Sequence, residues 1–195
     1  MARQEDVLQN PVTGERIEFR RTARDTGGEA LTFDYHLAPG GFALGKIDHV
    51  HPGQEERFEV RSGTLGVRID GDEWTATPGT RFAVPDETPH TVWNAGDSEL
   101  HALVEIRPAL NLETFFETTY GLARDGETNR WGMPGPLQSA VLADEFAEEI
   151  RAAKVPGSLQ RGAAALLAPV GRLAGYQASY PEYSGRRTAE ARQRA

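Results

Sequence analysis

The rhythm of hydrophobic and polar positions changes once along this chain, near Pro108. Before that point, short runs alternate with period two. Leu31-Thr-Phe-Asp-Tyr-His-Leu37 is one such run, and Pro39-Gly-Gly41 ends it. Glu56-Arg-Phe-Glu-Val60 is another, followed by Ser62-Gly63. Thr64 to Ile69 meets Asp70-Gly71, a hairpin signal, and Trp74 to Thr77 meets Pro78-Gly79. Thr80 to Val84, Thr91 to Trp93 and Leu100 to Ile106 continue the series, with the turn Asn94-Ala-Gly-Asp97 between the last two. Side chains on a strand point alternately to its two faces, so this pattern from about Ile17 to Pro108 predicts short antiparallel strands in a sandwich or barrel.

After Pro108 the period becomes helical. Leu112, Phe115, Phe116 and Thr119 fall at i, i+3, i+4 and i+7, which is one face of a helix. Leu142, Phe146, Ile150 and Ala153 predict a second helix that Pro156 stops. Leu159, Ala163, Leu166, Leu167 and Val170 predict a third, kinked at Pro169. Residues 125–136 are too rich in Gly and Pro to be regular. The expected organisation is a β-barrel over residues 1–109, a helical extension over 110–183 and a disordered tail over 184–195.

Composition narrows the chemistry. The 21 glycines and 12 prolines suit many strands joined by tight turns. The chain has no cysteine, so any metal must be held by His, carboxylates and water. A net charge of −8 argues against nucleic acid, because a DNA-binding surface needs clustered cations. The one basic cluster, Arg186, Arg187, Arg192 and Arg194, reads as a solvated terminus. The N-terminal residues lack the apolar stretch of a secretory signal, and no run approaches the length of a membrane span. A cytoplasmic protein without membrane contact is expected.

Three of the five histidines sit in two stretches. His49 and His51 are two apart, so on a strand they project side by side. Pro52-Gly53 ends that run, and Glu56 opens the next, sharing a face with Phe58 and Val60. If that face is interior, Glu56 is the one carboxylate expected inside the barrel, and burial is costly for it unless it is paired or bound to a metal. His90 follows the turn fixed by Pro85 and Pro89, and alternates with Val92 and Asn94. Phe58 and Val92 share a face and a neighbourhood with these groups and are expected to line a pocket, with Tyr35; Phe33 and Val84 are further candidates. Asn94 reads as a turn residue, and His36 as solvent-facing. Trp131 and Met133 read as packing residues, and the Ala/Leu run from Gly162 to Ala168 as a face packed on the barrel.

These stretches resemble the two motifs of the cupin superfamily. The spacing H-x-H-x4-E-x6-G is met by His49, His51, Glu56 and Gly63, and G-x5-P-x-G-x2-H-x3-N by Gly79, Pro85, His90 and Asn94. Two glycines of the family pattern are absent: Ala43 stands in the first motif and Glu87 in the second. The resemblance covers roughly Gly28 to Pro108. It implies an all-β core, a double-stranded β-helix or jelly-roll barrel with C-terminal helices, and one divalent metal per chain held by His49, His51, Glu56 and His90. Three imidazoles and a carboxylate favour iron or manganese, with nickel, copper or zinc as alternatives. The resemblance further implies a small-molecule substrate and a homodimer. A metal-dependent oxygenase or related oxidoreductase is the expected function, with Glu56 also serving as a catalytic base. A metal-dependent isomerase or lyase, or a non-catalytic small-molecule binder, fits the same residues, since fold and ligands do not select a reaction.

Overall fold

The computed structural model describes residues 2–184; the expected tail beyond Ser184, with its arginine cluster, lies outside the described residues. The chain opens with β1 (Val7–Asn10), β2 (Glu15–Arg21), the single-turn helix α1 (Ala23–Thr26) and β3 (Leu31–Leu37). There follow β4 (His49–Val50), β5 (Glu55–Ser62), β6 (Leu65–Ile69), β7 (Asp72–Ala76), β8 (Arg81–Val84), β9 (His90–Asn94) and β10 (Leu100–Arg107). The C-terminal part comprises α2 (Leu112–Arg124), α3 (Pro136–Glu145), β11 (Arg151–Ala152) and α4 (Gly157–Leu173).

Strands β3 to β10 pair as nested antiparallel couples: β3 with β10, β4 with β9, β5 with β8 and β6 with β7. Successive couples fall in alternate sheets, the topology of a jelly roll. The sheets are six-stranded, β1-β2-β3-β10-β5-β8, and five-stranded, β11-β4-β9-β6-β7. Alternation puts Phe33 and Tyr35 of β3, Phe58 of β5, Val104 of β10 and Val92 of β9 in the buried core between them. The outer faces carry ion pairs such as Arg81–Glu59 and Arg68–Glu73.

The helices close the barrel's open side. On α2 the apolar face holds Leu112, Phe115 and Tyr120 buried, and the Phe116 ring meets Phe33 edge to face with centroids 5.5 Å apart. Helix α4 runs from Gly157 to Leu173 with Pro169 inside it. Its small residues Ala164, Ala168 and Gly171 are buried, and Gly171 lies against Leu137 and Val141 of α3. The expectation that the Ala/Leu run packs on the barrel is therefore corrected: its small face packs on α3, while Leu166 is 77% exposed.

The second predicted helix also requires correction. It ends at Glu145 rather than continuing to Ala153, and Arg151–Ala152 forms β11, paired with Val50 and His49 of β4. Ile150 and Ala153 fit helical spacing, but β4 has an open edge here, and its backbone groups need partners. The Ala153 N–H donates to Asp48 O at 2.9 Å in extension of this pairing.

Candidate metal centre

The edge of β4, the start of β5 and the start of β9 meet at one end of the barrel interior. His49 pairs in register with His90 across β4 and β9. His51 lies just beyond β4, and Glu56 enters from the opposite sheet on β5. Potential ligand atoms of His49, His51, Glu56 and His90 lie within 4.8 Å of one another, and all four residues are buried. Among the described residues no other group of three or more His and acidic side chains is so placed.

Each imidazole is oriented by a backbone carbonyl. Nδ1 of His90 bonds Thr88 O at 2.9 Å, Nδ1 of His51 bonds Glu149 O at 2.7 Å, and Nδ1 of His49 faces Ile47 O at 3.3 Å. A ring whose Nδ1–H donates to a carbonyl is fixed in the tautomer that offers a bare Nε2 lone pair, which is how metal-ligating histidines are ordinarily held. Nε2 of His90 and of His51 reach Glu56 Oε2 at 2.9 and 3.8 Å.

Burial depresses His49 and His51 below the ordinary histidine range, His49 strongly, so both imidazoles are neutral, the ligating form. For Glu56 burial pushes upward, but the His90 hydrogen bond and the nearby His51 outweigh it and hold the carboxyl below its usual range. Burial pulls His90 down, yet its bond to Glu56 prevails and lifts it. A buried carboxylate thus faces a buried imidazole that shares its proton, where a divalent cation would supply the same compensation with two charges. Three imidazoles and a carboxylate fit such a cation.

These four groups form part of the wall of a cavity of about 280 Å³. Phe58, Val92 and Tyr35 line it, as do Phe33, Val104, and Leu112, Phe115 and Tyr120 of α2. Val84 is buried but does not line it. Trp131 and Met133 also belong to the wall, in place of the ordinary packing expected of them. Their loop is pinned by Asn129 Oδ1, which accepts from the N–H groups of Trp131 and Met133. The expectation that Glu56 is the one carboxylate inside is corrected as well, because Glu15 of β2 lines the same cavity. The signal is the run Glu15-Arg-Ile-Glu-Phe19, where Glu15 shares a face with Ile17 and Phe19 but lies ahead of the first apolar position. His36 is half-buried rather than solvent-facing and stacks on His101, centroids 4.4 Å apart, on the outer sheet face, away from the cavity.

The family model described as Cupin domain matches residues 33–105. Residues 33–105 are a cupin domain. Among solved structures, the chain resembles a sugar phosphate isomerase from a cupin superfamily of Silicibacter pomeroyi, with 24% identity over 50% of this chain and 62% of that one, TM-score 0.43. It also resembles KdgF from Halomonas sp., with 17% identity over 52% of this chain and 84% of that one, TM-score 0.45. A predicted oxalate decarboxylase from Thermotoga maritima matches with 18% identity over 55% of this chain and 98% of that one, TM-score 0.46. No curated protein matches the sequence.

Three motif positions of this domain have clear physical reasons. Gly63 adopts φ +77°, and a Cβ there would sit 2.8 Å from Leu100 Cα. Glu87, where the family pattern has glycine, keeps the left-handed conformation at φ 55°. Its N–H donates to His51 O at 3.1 Å, and its carboxylate grips Arg151 of β11 through both oxygens at 2.6 Å. The missing glycine thus leaves the turn intact and adds a tie between the barrel rim and the C-terminal extension. Asn94 is a structural clip: its amide donates to Leu37 O, Ala38 O and Ser98 O.

Proposed function

We propose that this chain is a divalent-metal-dependent enzyme acting on a small organic molecule inside the cavity, and that the reaction is an oxygenation. The supporting observation is the convergence of three carbonyl-oriented imidazoles and one carboxylate within 4.8 Å at the cavity wall. His49, His51, Glu56 and His90 would hold one ion per chain, with iron or manganese favoured over nickel, copper and zinc. When bound, that ion supplies Lewis-acid and redox chemistry at the end of the cavity. The chain's own residues do the rest. Phe58, Val92 and Tyr35 keep bulk water from the site and orient the apolar body of the substrate. Glu56, a carboxylate next to the reacting end, also accepts a proton from the substrate.

A second reading, a metal-dependent isomerase or lyase, is favoured by Glu15, a further carboxyl in the cavity wall suited to moving protons. The two readings separate on oxygen. Turnover of a substrate by the metal-loaded protein should consume O2 in proportion to substrate lost. Equal turnover under anaerobic conditions rejects the oxygenase in favour of the second reading. The proposal includes a homodimer, which light scattering of the purified chain tests directly.

A further inference from the structure

The polar groups of the cavity do not all gather at the candidate metal centre. Glu15 of β2 is separated from Glu56 of β5 by two intervening strands, β3 and β10, and the register sets it level with Leu37 of β3 and Leu100 of β10, whereas Glu56 is level with Ile106 of β10, so the two carboxyls enter from different parts of the sheet. At the Glu15 end the carboxylate accepts from Thr13 Oγ1 and, at 2.8 Å, from the Tyr35 hydroxyl. Tyr120, brought in by α2, is 4% exposed and lies close enough for the Glu15 charge to act on its phenol. Its hydroxyl is buried beside Glu15 but makes no hydrogen bond of good geometry with it or with any other described group. A buried hydroxyl left unsatisfied costs free energy that a ligand oxygen can recover.

Glu15, Thr13, Tyr35 and Tyr120 all line the cavity, whose remaining wall between the two ends is mainly aromatic and aliphatic. The charged residues of the lining are Glu15, Glu56 and Arg151, and Arg151 is already engaged by Glu87. Among the described residues, therefore, no free cation waits at the Glu15 end for an anionic group.

We propose that Glu15, Tyr35 and Tyr120 form a second subsite, which takes a neutral hydroxyl or phenol group of the same small molecule whose other end lies at His49, His51, Glu56 and His90. This inference rests on the reading of those four residues as a metal centre. It defines the substrate class as a mainly apolar molecule with an oxygen chelating group at one end and an uncharged hydroxyl at the other. Tyr120 donates to that hydroxyl and Glu15 accepts from it, while Tyr35 holds the Glu15 carboxyl in place. Burial, only partly offset by the bonds from Thr13 and Tyr35, raises Glu15 above its ordinary range, and the same burial disfavours a carboxylate as the distal group.

The test uses full-length protein loaded with zinc, which is stable in air, and hydroxamates as chelating probes. Benzohydroxamate and phenylacetohydroxamate are titrated calorimetrically beside their 4-hydroxy derivatives and 4-carboxybenzohydroxamate. At least one 4-hydroxy probe should bind about tenfold tighter than its parent, the scale of one well-made hydrogen bond, and the carboxylate should gain nothing. Tyr120→Phe should lose most of that advantage and Glu15→Gln part of it, with the parents binding both variants as they bind the wild type, which shows the fold and chelating end intact. A hydroxyl advantage absent from the wild type, or undiminished in both variants, overturns the subsite while the metal reading stands. Failure of both parents to bind the zinc-loaded wild type instead rejects the metal reading, and this inference with it.

Discussion

Glu87 carries two opposed local effects. Its Cβ sits in the left-handed region, which disfavours any L side chain by about 1 kcal/mol, while its carboxylate ties Arg151 to the rim. Glu87→Ala loses the tie and keeps the strain, whereas Glu87→Gly loses both. The glycine variant should therefore be the more stable of the two by about 1 kcal/mol in chemical denaturation. Among the candidate ligands, replacing His49, His51 or His90 by Ala should abolish or sharply weaken metal uptake, measured by elemental analysis of dialysed protein. Full metal content in all three would dismiss the centre. At Glu15 the sign of the pH effect follows from burial, with Thr13, Tyr35 and Tyr120 around the carboxyl. A carboxyl raised in the folded state favours folding below its unfolded pKa, and that contribution is lost as pH rises through the folded value. Glu15→Gln removes the ionisation, so its melting temperature relative to wild type should climb between acid and neutral pH; a constant difference would show that Glu15 does not titrate in that window. The four-residue set was legible in sequence because period-two spacing and two short motifs place it. Glu15 was not, because it precedes Ile17, the first apolar position of its strand, and Tyr120 was not, because helical spacing does not reveal which groove a helix fills.

Among the elements, β11 is the one whose effect reaches the site. Two residues of strand hold the edge of β4, and the carbonyl of Glu149, two positions before β11, fixes the ring of His51. Gln160 of α4 clamps the segment, bonding both the N–H and the O of Ala152 and the O of Val155. Gln160→Ala strips these partners and should cost about 1–2 kcal/mol in urea denaturation. It should also weaken metal binding several-fold by loosening the segment that carries the Glu149 carbonyl; unchanged affinity would mean that β11 is not part of the support. Most of the barrel strands could be read from alternation and from the turns that bound them, most clearly β5 and β10, whose first residues bury one face. Strand β11 could not. It has no alternation to detect over two residues, and its conformation is dictated by the open edge of β4, a tertiary fact that overrode the local helical spacing.

For the molecule as a whole, metal and fold are linked by mass action. An ion that binds the native state alone contributes about 2.7 kcal/mol at a hundred times Kd, so chelation should lower the melting temperature by several degrees. An unchanged curve after verified removal would uncouple the site from folding. Truncation after Pro108 removes α2, and with it Phe115 and Phe116 from the ring cluster that reaches Phe33. It also deprives His51 of its Glu149 partner. The truncated chain should be less stable than the full chain and bind metal more weakly; equal stability and affinity would make the helices dispensable. The cavity also has two authors. The end that carries the four donors is set by the barrel strands, whereas much of the cavity's shape is cast by α2 and by the loop bearing Trp131 and Met133. Changes confined to residues 112–134 can therefore remould what the cavity accepts without disturbing any of the four converging donors. The barrel behaves as a fixed tool, and the helical wall as its interchangeable jig.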